Sequence, residues 1–289
     1  MQHLLFQRFT IAKVYPRLFQ LGSVAIPTSA AFTAIAIIAA LFTARAAARS
    51  LKLDPEKVWD LGIVGVLTAL FAPRLILIFT NWKDFLAHPL WMIGILRVRS
   101  EAATLSGIAA ALAVMGAFIF FTRMPLRRTL DAFAPSFALG LAIANLGAFA
   151  GGSAFGSPTD LPWAVTYTSR LASLWNGAPL GTPLHPVQIY SALAEMCTFA
   201  LLLVMVGNRD KWKMQSGEIM GTWLFLSGFS SFFLNFLRSD LTANAASLIT
   251  LDIVACGMVL FGGLLWLGNT GMAARSADDI SVDRQREMQ

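Results

Sequence analysis

Seven long runs of mostly apolar residues constrain this chain more than any other feature of its sequence. They cover residues 24–46, 60–82, 103–121, 131–152, 185–206, 217–237 and 248–268. A helix needs about 20 predominantly apolar residues to cross the hydrocarbon core of a bilayer. Because no water satisfies backbone groups there, a spanning segment must pair them internally, as a helix does. The sequence therefore predicts an all-α, polytopic membrane bundle of about seven transmembrane helices.

The scarcity of charge supports this prediction and excludes other classes of protein. Only 13% of the 289 residues are charged, whereas soluble globular domains carry about 25%. Two cysteines cannot form a disulfide scaffold, and an apolar content of 56% excludes a disordered chain. The net charge of +6 comes from short basic clusters between the apolar runs. Clusters of this kind are typical of cytoplasmic loops, so we expect no nucleic-acid partner.

The distribution of lysine and arginine predicts an orientation and a division of the chain. With the N-terminus outside, the inner segments hold 13 basic residues and the outer segments hold 8. This asymmetry favours an outside N-terminus and a cytoplasmic C-terminus. We expect an N-terminal interfacial segment at 1–22 and a transmembrane domain at 23–268, followed by a polar cytoplasmic tail at 269–289. Two long outer loops, 83–102 and 153–184, interrupt the transmembrane domain.

Arg74 lies inside the second apolar run, in the segment LFAPRLILIF. Burying an arginine at the centre of a spanning helix costs at least ~2.5 kcal/mol on insertion scales. The guanidinium is therefore expected to meet an anion, either a carboxylate or a lipid phosphate. Alternatively, Arg74 forms a purely structural pair or extends to the outer headgroups.

Glycines recur at intervals of four at the end of the fourth run, as Gly147 and Gly151 and again as Gly152 and Gly156. This spacing allows close approach between helices. Glycines at the outer end of a span also let backbone N–H groups reach a phosphate. Asn145 lies among them and has either a neighbouring helix or a ligand as its expected partner.

Further polar residues flank the fifth and sixth runs. The segment PLHPVQIY places His185, Gln188 and Tyr190 near the outer interface, where the histidine is either a structural hydrogen-bonding residue or a base. Arg238 follows the sixth run in NFLRSD. Its guanidinium either pairs with a nearby aspartate, Asp240 or Asp252, or binds an anionic lipid headgroup.

These segments together resemble the prolipoprotein diacylglyceryl transferase family. The resemblance extends over nearly the whole chain, in the blocks YPRLFQLGSVAIPT, APRL, LDAFAPSFALGLAIANLGAFAGGSAFGSPTDLPWAV, HPVQIY and NFLRSD. The order and spacing of the blocks and the seven-span topology also agree with that family.

The resemblance implies an enzyme of the bacterial cytoplasmic membrane that acts at its outer face. Such enzymes transfer the diacylglyceryl group of phosphatidylglycerol to the cysteine thiol of a prolipoprotein lipobox and release glycerol phosphate. His185 and Arg238 are the expected catalytic residues. Contacts to the lipid phosphate are expected from a larger set: Arg74, Asn145, Gly147, Gly152, Gly156, Gln188 and Tyr190. We expect neither a metal ion nor a cofactor.

The sequence departs from the family pattern at several ionisable positions. Asn145 stands at the signature arginine, Ala148 at the following asparagine and Ser153 at the acidic residue. Ala102 or Ala103 replaces a histidine, Ser29 a tyrosine, and Ser231 and Asn235 an arginine and a glutamate. Two hypotheses follow: an active transferase with a shifted set of residues, or a non-catalytic relative. The latter would bind phosphatidylglycerol or another phospholipid, or help assemble a membrane protein complex.

Overall fold

The computed structural model describes residues 14–21, 24–87, 101–239 and 248–266. Its helices are α1 (Thr28–Ser50), α2 (Pro55–Thr80), α3 (Trp82–Ala87), α4 (Glu101–Thr122), α5 (Leu126–Gly151), α6 (Arg170–Asn176), α7 (Val187–Asn208), α8 (Glu218–Asn235) and α9 (Leu248–Trp266). Two short antiparallel pairs join β1 (Arg17–Leu21) to β2 (Val24–Pro27) and β3 (Val165–Thr166) to β4 (Pro183–Leu184). The predicted all-α class is confirmed.

Within the described residues, six helices are long and apolar enough to cross a membrane, namely α1, α2, α4, α5, α7 and α9. The protein is therefore a multi-pass membrane protein. The sixth predicted span is also a helix, α8, but its 18 residues include Glu218, Asn235 and several serines. It falls outside the six for that reason, so its crossing of the membrane stays a prediction.

The predicted boundaries differ from the observed ones mainly at helix starts. Helix α1 begins at Thr28 because the four residues before it pair as β2 with β1. Helix α2 begins five residues earlier than its apolar run, at Pro55, because Asp54 accepts hydrogen bonds from the backbone N–H groups of Glu56 and Lys57. An aspartate before a first-turn proline is a strong helix start. Most of the predicted interfacial segment, part of loop 83–102 and the tail 269–289 lie outside the described residues.

Helix α5 is the centre of the bundle and packs against α1, α7 and α8, while α2 packs against α1 and α4. Close approach to α1 depends on Gly147, whose missing side chain leaves room for Phe32. Glycines also bring α8 against α9, since a Cβ on Gly228 would lie 2.7 Å from the carbonyl oxygen of Ala255. Lipid tails are as apolar as the helices, so the hydrophobic effect does not drive helices together within a bilayer. Close packing is therefore a main source of attraction between them.

Polar contacts between helices are buried within the same bundle. Asp131 of α5 accepts hydrogen bonds from the backbone N–H groups of Gly217 (2.7 Å) and Met220 (3.0 Å) at the start of α8. Glu195 of α7 accepts one from the Ser227 hydroxyl of α8 at 3.0 Å. The Asp131 carboxylate therefore supplies the N-terminal cap that α8 lacks in its own sequence, since Gly217 has no side chain to provide one.

Candidate functional site

The chain after α5 folds into a small cap at the Gly152 end of the bundle. A separate apolar cluster forms its centre and consists of Val14, Phe155, Val165, Tyr167, Ala172, Ala178 and Leu184. Helix α5 ends at Gly152 with φ +71°, and the N–H of Ser153 returns to the carbonyl of Ala148 at 2.9 Å. This left-handed glycine cap turns the chain out of the helix and starts the cap.

Backbone hydrogen bonds place His185 and Arg238 on either side of Gly156. The N–H of Gly156 donates to the carbonyl of His185 at 3.2 Å, and the N–H of His185 donates to that of Ser157 at 3.0 Å. On the other side Gly156 forms an antiparallel bridge with Arg238, and the Ser239 hydroxyl donates to the Gly156 carbonyl at 3.0 Å. The segment 155–157 therefore joins the two residues that are predicted from the sequence to be catalytic.

Gly156 holds this position because no side chain fits there. A Cβ built on Gly156 would lie 2.7 Å from the Cβ of His185 and 2.7 Å from Cγ2 of Val187. Two non-bonded carbons do not approach so closely in proteins, so any other residue would displace the His185 segment. The role of this glycine is thus to set the distance between two neighbouring backbone segments.

Gln188 ties the first turn of α7 to the cap. Its Nε2 donates to the carbonyl of Ser153 at 2.7 Å and to the hydroxyl of Tyr167 at 2.9 Å, and the residue is fully buried. Its Oε1 is buried and has no hydrogen-bond partner among the described residues. Burial raises the pKa of Tyr167 to about 12. Gln188 thus secures the entry to α7 with one half of its amide and leaves the other half unpaired.

His185 lies beside an aromatic pair at the start of α7. Its ring centroid is 6.3 Å from that of Tyr190, with an angle of 64° between the planes. The Tyr190 hydroxyl accepts a hydrogen bond from Nε1 of Trp163 at 2.6 Å. Within the described part of the chain, Nδ1 of His185 is buried without a hydrogen-bond partner. Among the described residues, the imidazole is therefore not engaged through Nδ1.

Other predicted phosphate ligands have packing contacts of their own. The Asn145 amide donates to the carbonyl of Leu141, one turn earlier in α5, at 2.9 Å. Gly147 faces Phe32, and a Cβ on Gly152 would lie 2.8 Å from that of Ala172. These contacts account for each residue structurally. Their binding of a lipid phosphate stays a prediction.

Arg74 occupies a different part of the bundle from the cap residues. Its Nη1 donates to the carbonyl of Leu70, one turn earlier in the same helix, at 2.8 Å. The principal contacts of α2 are with α1 and α4, whereas the cap grows from α5, α7 and the end of α8. The structure therefore groups His185, Gly156, Gln188, Tyr190 and Arg238, whereas Arg74 lies on α2, which is not one of the helices that carry the cap.

Two residues of the cap region were missed as site components by sequence reasoning. Tyr167 is 1% exposed and bonds to Gln188, although nothing in the loop sequence distinguishes it from an ordinary interfacial tyrosine. Ser239 was visible only as part of the NFLRSD block. Among the described residues, no group of three or more histidine, cysteine, aspartate or glutamate side chains is arranged to hold a metal ion.

The chain is similar to known proteins over most of its length. The sequence profile of a family described as Prolipoprotein diacylglyceryl transferase matches residues 16–267. A protein of Thermosynechococcus vestitus is 30% identical over 228 residues, covering 76% of this chain and 80% of its own length. One from Synechococcus elongatus is 28% identical over 268 residues, covering 87% of each chain. Both are named phosphatidylglycerol–prolipoprotein diacylglyceryl transferase. The chain therefore belongs to the prolipoprotein diacylglyceryl transferase family.

Proposed function

We propose that this protein transfers the diacylglyceryl group of phosphatidylglycerol to the cysteine thiol of a prolipoprotein, at the outer face of the bacterial cytoplasmic membrane. The observation that carries the proposal is the pairing of His185 and Arg238 on the two sides of Gly156. A base and a cation held by adjacent backbone segments are the two groups that this transfer needs. The names of the relatives supply the substrates.

The proposed step is a displacement at carbon. His185 takes the thiol proton, and the sulfur attacks the glycerol carbon that carries the phosphate ester. The new C–S bond forms as the C–O bond breaks, and glycerol phosphate leaves with the electron pair. Arg238 stabilises the charge on the departing phosphate, which receives the proton from His185. A positioned base contributes on the order of 10²-fold or more, and a charge-stabilising donor a similar factor.

The test is thioether formation by the purified protein. The protein is incubated with phosphatidylglycerol and a lipobox peptide, and the peptide mass is measured. We expect a diacylglyceryl adduct that falls at least about 100-fold in rate in His185→Gln and in Arg238→Gln. Trp175→Phe serves as the control, because Trp175 lies in α6 of the same cap and takes no part in the step. Absence of the adduct in the unaltered protein would contradict the proposal.

A second candidate is phospholipid binding without transfer. The supporting observation is that neutral side chains bonded within the protein occupy two positions where the family carries ionisable ones. Asn145 donates to Leu141 in its own helix, and Nδ2 of Asn235 donates to Oδ1 of Asp252 in α9 at 2.9 Å. The same assay separates the two when phosphatidylglycerol binding is measured beside it: saturable binding with no thioether product favours this candidate.

A further inference from the structure

Trp163 is an exposed side chain that is nevertheless held in place. The residue is 55% exposed, yet its Nε1 donates a hydrogen bond to the hydroxyl of Tyr190 at 2.6 Å. The contact joins the cap to the first turn of α7, across 27 positions of the sequence. An aromatic ring that is both accessible and fixed in orientation offers a preformed surface to a ligand.

The hydrogen bond from Trp163 restricts what the Tyr190 hydroxyl can do. A phenol has one hydrogen to donate and lone pairs with which to accept. Accepting from the indole uses a lone pair and leaves the phenolic hydrogen for another partner. Among the described residues, the Trp163 indole is the hydrogen-bond partner that the structure gives this hydroxyl. In such a chain the indole donor also polarises the phenol and strengthens its own donation.

The Tyr190 ring also contacts His185. The two centroids are 6.3 Å apart and the planes meet at 64°, an edge-to-face geometry. The donor hydroxyl and the imidazole therefore belong to the same corner of the cap. A hydrogen bond from a phenol to an anionic oxygen is charge-assisted and stronger than one between neutral groups. A phosphate oxygen is an acceptor of this kind.

We propose that Trp163 is a positioning residue that acts through Tyr190. By occupying a lone pair of the Tyr190 hydroxyl, Trp163 makes that hydroxyl a donor to a phosphate oxygen beside His185. This inference rests on the proposed function only in taking phosphatidylglycerol as the source of the phosphate. Trp163 itself touches neither the reacting carbon nor the thiol.

The experiment is a double-mutant cycle on ligand affinity. Binding of dihexanoyl phosphatidylglycerol is measured by calorimetry for the unaltered protein, Trp163→Phe, Tyr190→Phe and the double variant. Loss of a hydrogen bond to a charged group weakens binding about tenfold, so we expect that factor for Tyr190→Phe. Trp163→Phe is expected to weaken binding about threefold. The double variant should bind no more weakly than Tyr190→Phe, because Trp163 acts through Tyr190.

Matched controls separate positioning from simple structural support. Trp175→Phe makes the same change elsewhere in the cap and should leave affinity unchanged. The chain has three histidines, so the ¹⁵N spectrum of histidine-labelled protein is simple to assign with His185→Asn. The His185 signals should move on lipid binding, by less in Trp163→Phe than in the unaltered protein. A purely structural contact would instead lower the melting temperature and leave the affinity of the folded fraction unchanged.

Each outcome then has one meaning. Unchanged affinity in both single variants, or fully additive losses in the double variant, overturns the inference. If Tyr190→Phe also weakens the binding of inorganic phosphate, the inference is supported and the phosphate itself is the group recognised. If Tyr190→Phe weakens the binding of the lipid but not of inorganic phosphate, the inference is supported and the esterified headgroup is the group recognised. Binding with this pattern but without thioether formation contradicts the proposed transfer and leaves the inference standing.

Discussion

Two buried polar side chains, Asp131 and Gln188, join helices at the two ends of α5 and differ in how fully they are paired. Both carboxylate oxygens of Asp131 accept backbone N–H groups at the start of α8. The Gln188 amide uses Nε2 for two bonds, whereas its Oε1 has no partner among the described residues. An unpaired buried polar atom costs about 1–3 kcal/mol. The Asp131 contact is therefore expected to contribute more to the free energy of unfolding than the Gln188 contacts do.

The largest effect is expected at Asp131. Replacing it with alanine leaves the Gly217 and Met220 N–H groups buried and unpaired, so Asp131→Ala should destabilise the fold by about 3 kcal/mol. Thermal unfolding in detergent measures the change. Asp131→Asn retains one acceptor oxygen and should lose clearly less. Equal melting temperatures for the alanine variant and the unaltered protein would show that the Asp131 contact does not stabilise the fold.

A smaller loss is expected when Gly156 becomes alanine. The added methyl group would lie 2.7 Å from His185 Cβ, so the two backbone segments must separate. Overpacking of this kind costs about 1–3 kcal/mol. It should also reduce binding of phosphatidylglycerol, because His185 moves relative to Arg238. Gly116→Ala is the matched control: a Cβ there has nothing within 4 Å. Similar melting temperatures for the two variants would contradict the account of Gly156.

The variant Gln188→Leu tests the difference between the Gln188 and Asp131 contacts directly. Leucine has a similar size and removes Oε1, but it leaves the Ser153 carbonyl and the Tyr167 hydroxyl without their donor. The gain and the loss partly cancel, so the expected destabilisation is about 1 kcal/mol, well below that of Asp131→Ala. Chemical unfolding followed by circular dichroism measures it. A loss as large as that at Asp131 would show that the two contacts are equally structural.

The smallest expected effect is on the pH dependence of stability, and it is expected at Tyr167. Because burial raises its pKa to about 12 in the folded state, from an ordinary value of 10.0, folding favours the neutral phenol. This contribution to stability is complete below pH 10 and is lost as the pH rises from 10 to 12. Tyr167→Phe should unfold with a flatter pH dependence over that interval. Identical alkaline profiles for the two proteins would argue against a buried phenol at this position.

The transmembrane helices were predictable because a bilayer imposes length and apolarity on each of them separately. Helix ends were harder to predict, since they depend on particular partners: the β1–β2 pair delays α1 to Thr28, and Asp54 advances α2 to Pro55. The start of helix α8 also depends on a partner outside the helix. Its start is fixed by Asp131, which lies 86 positions away from Gly217 in the sequence.

The sequence indicated which residues surround Gly156, but it did not indicate their geometry. His185, Gln188, Tyr190 and Arg238 belong to motifs that the resemblance carries. Their arrangement around Gly156 depends on backbone pairing between three distant segments, which no periodicity encodes. Tyr167 was missed for the same reason.

The backbone pairing around Gly156 also determines when the site can exist during synthesis. Ser239, which bonds to the Gly156 carbonyl, is 83 positions further along the chain and follows α8. A ribosome that has delivered the first five long helices into the membrane has therefore produced most of the bundle without the third segment of the cap. A partly made chain, or one truncated before α8, holds no complete pair of His185 and Arg238. The proposed transfer, which needs both residues, can therefore begin only after almost the whole chain has been made.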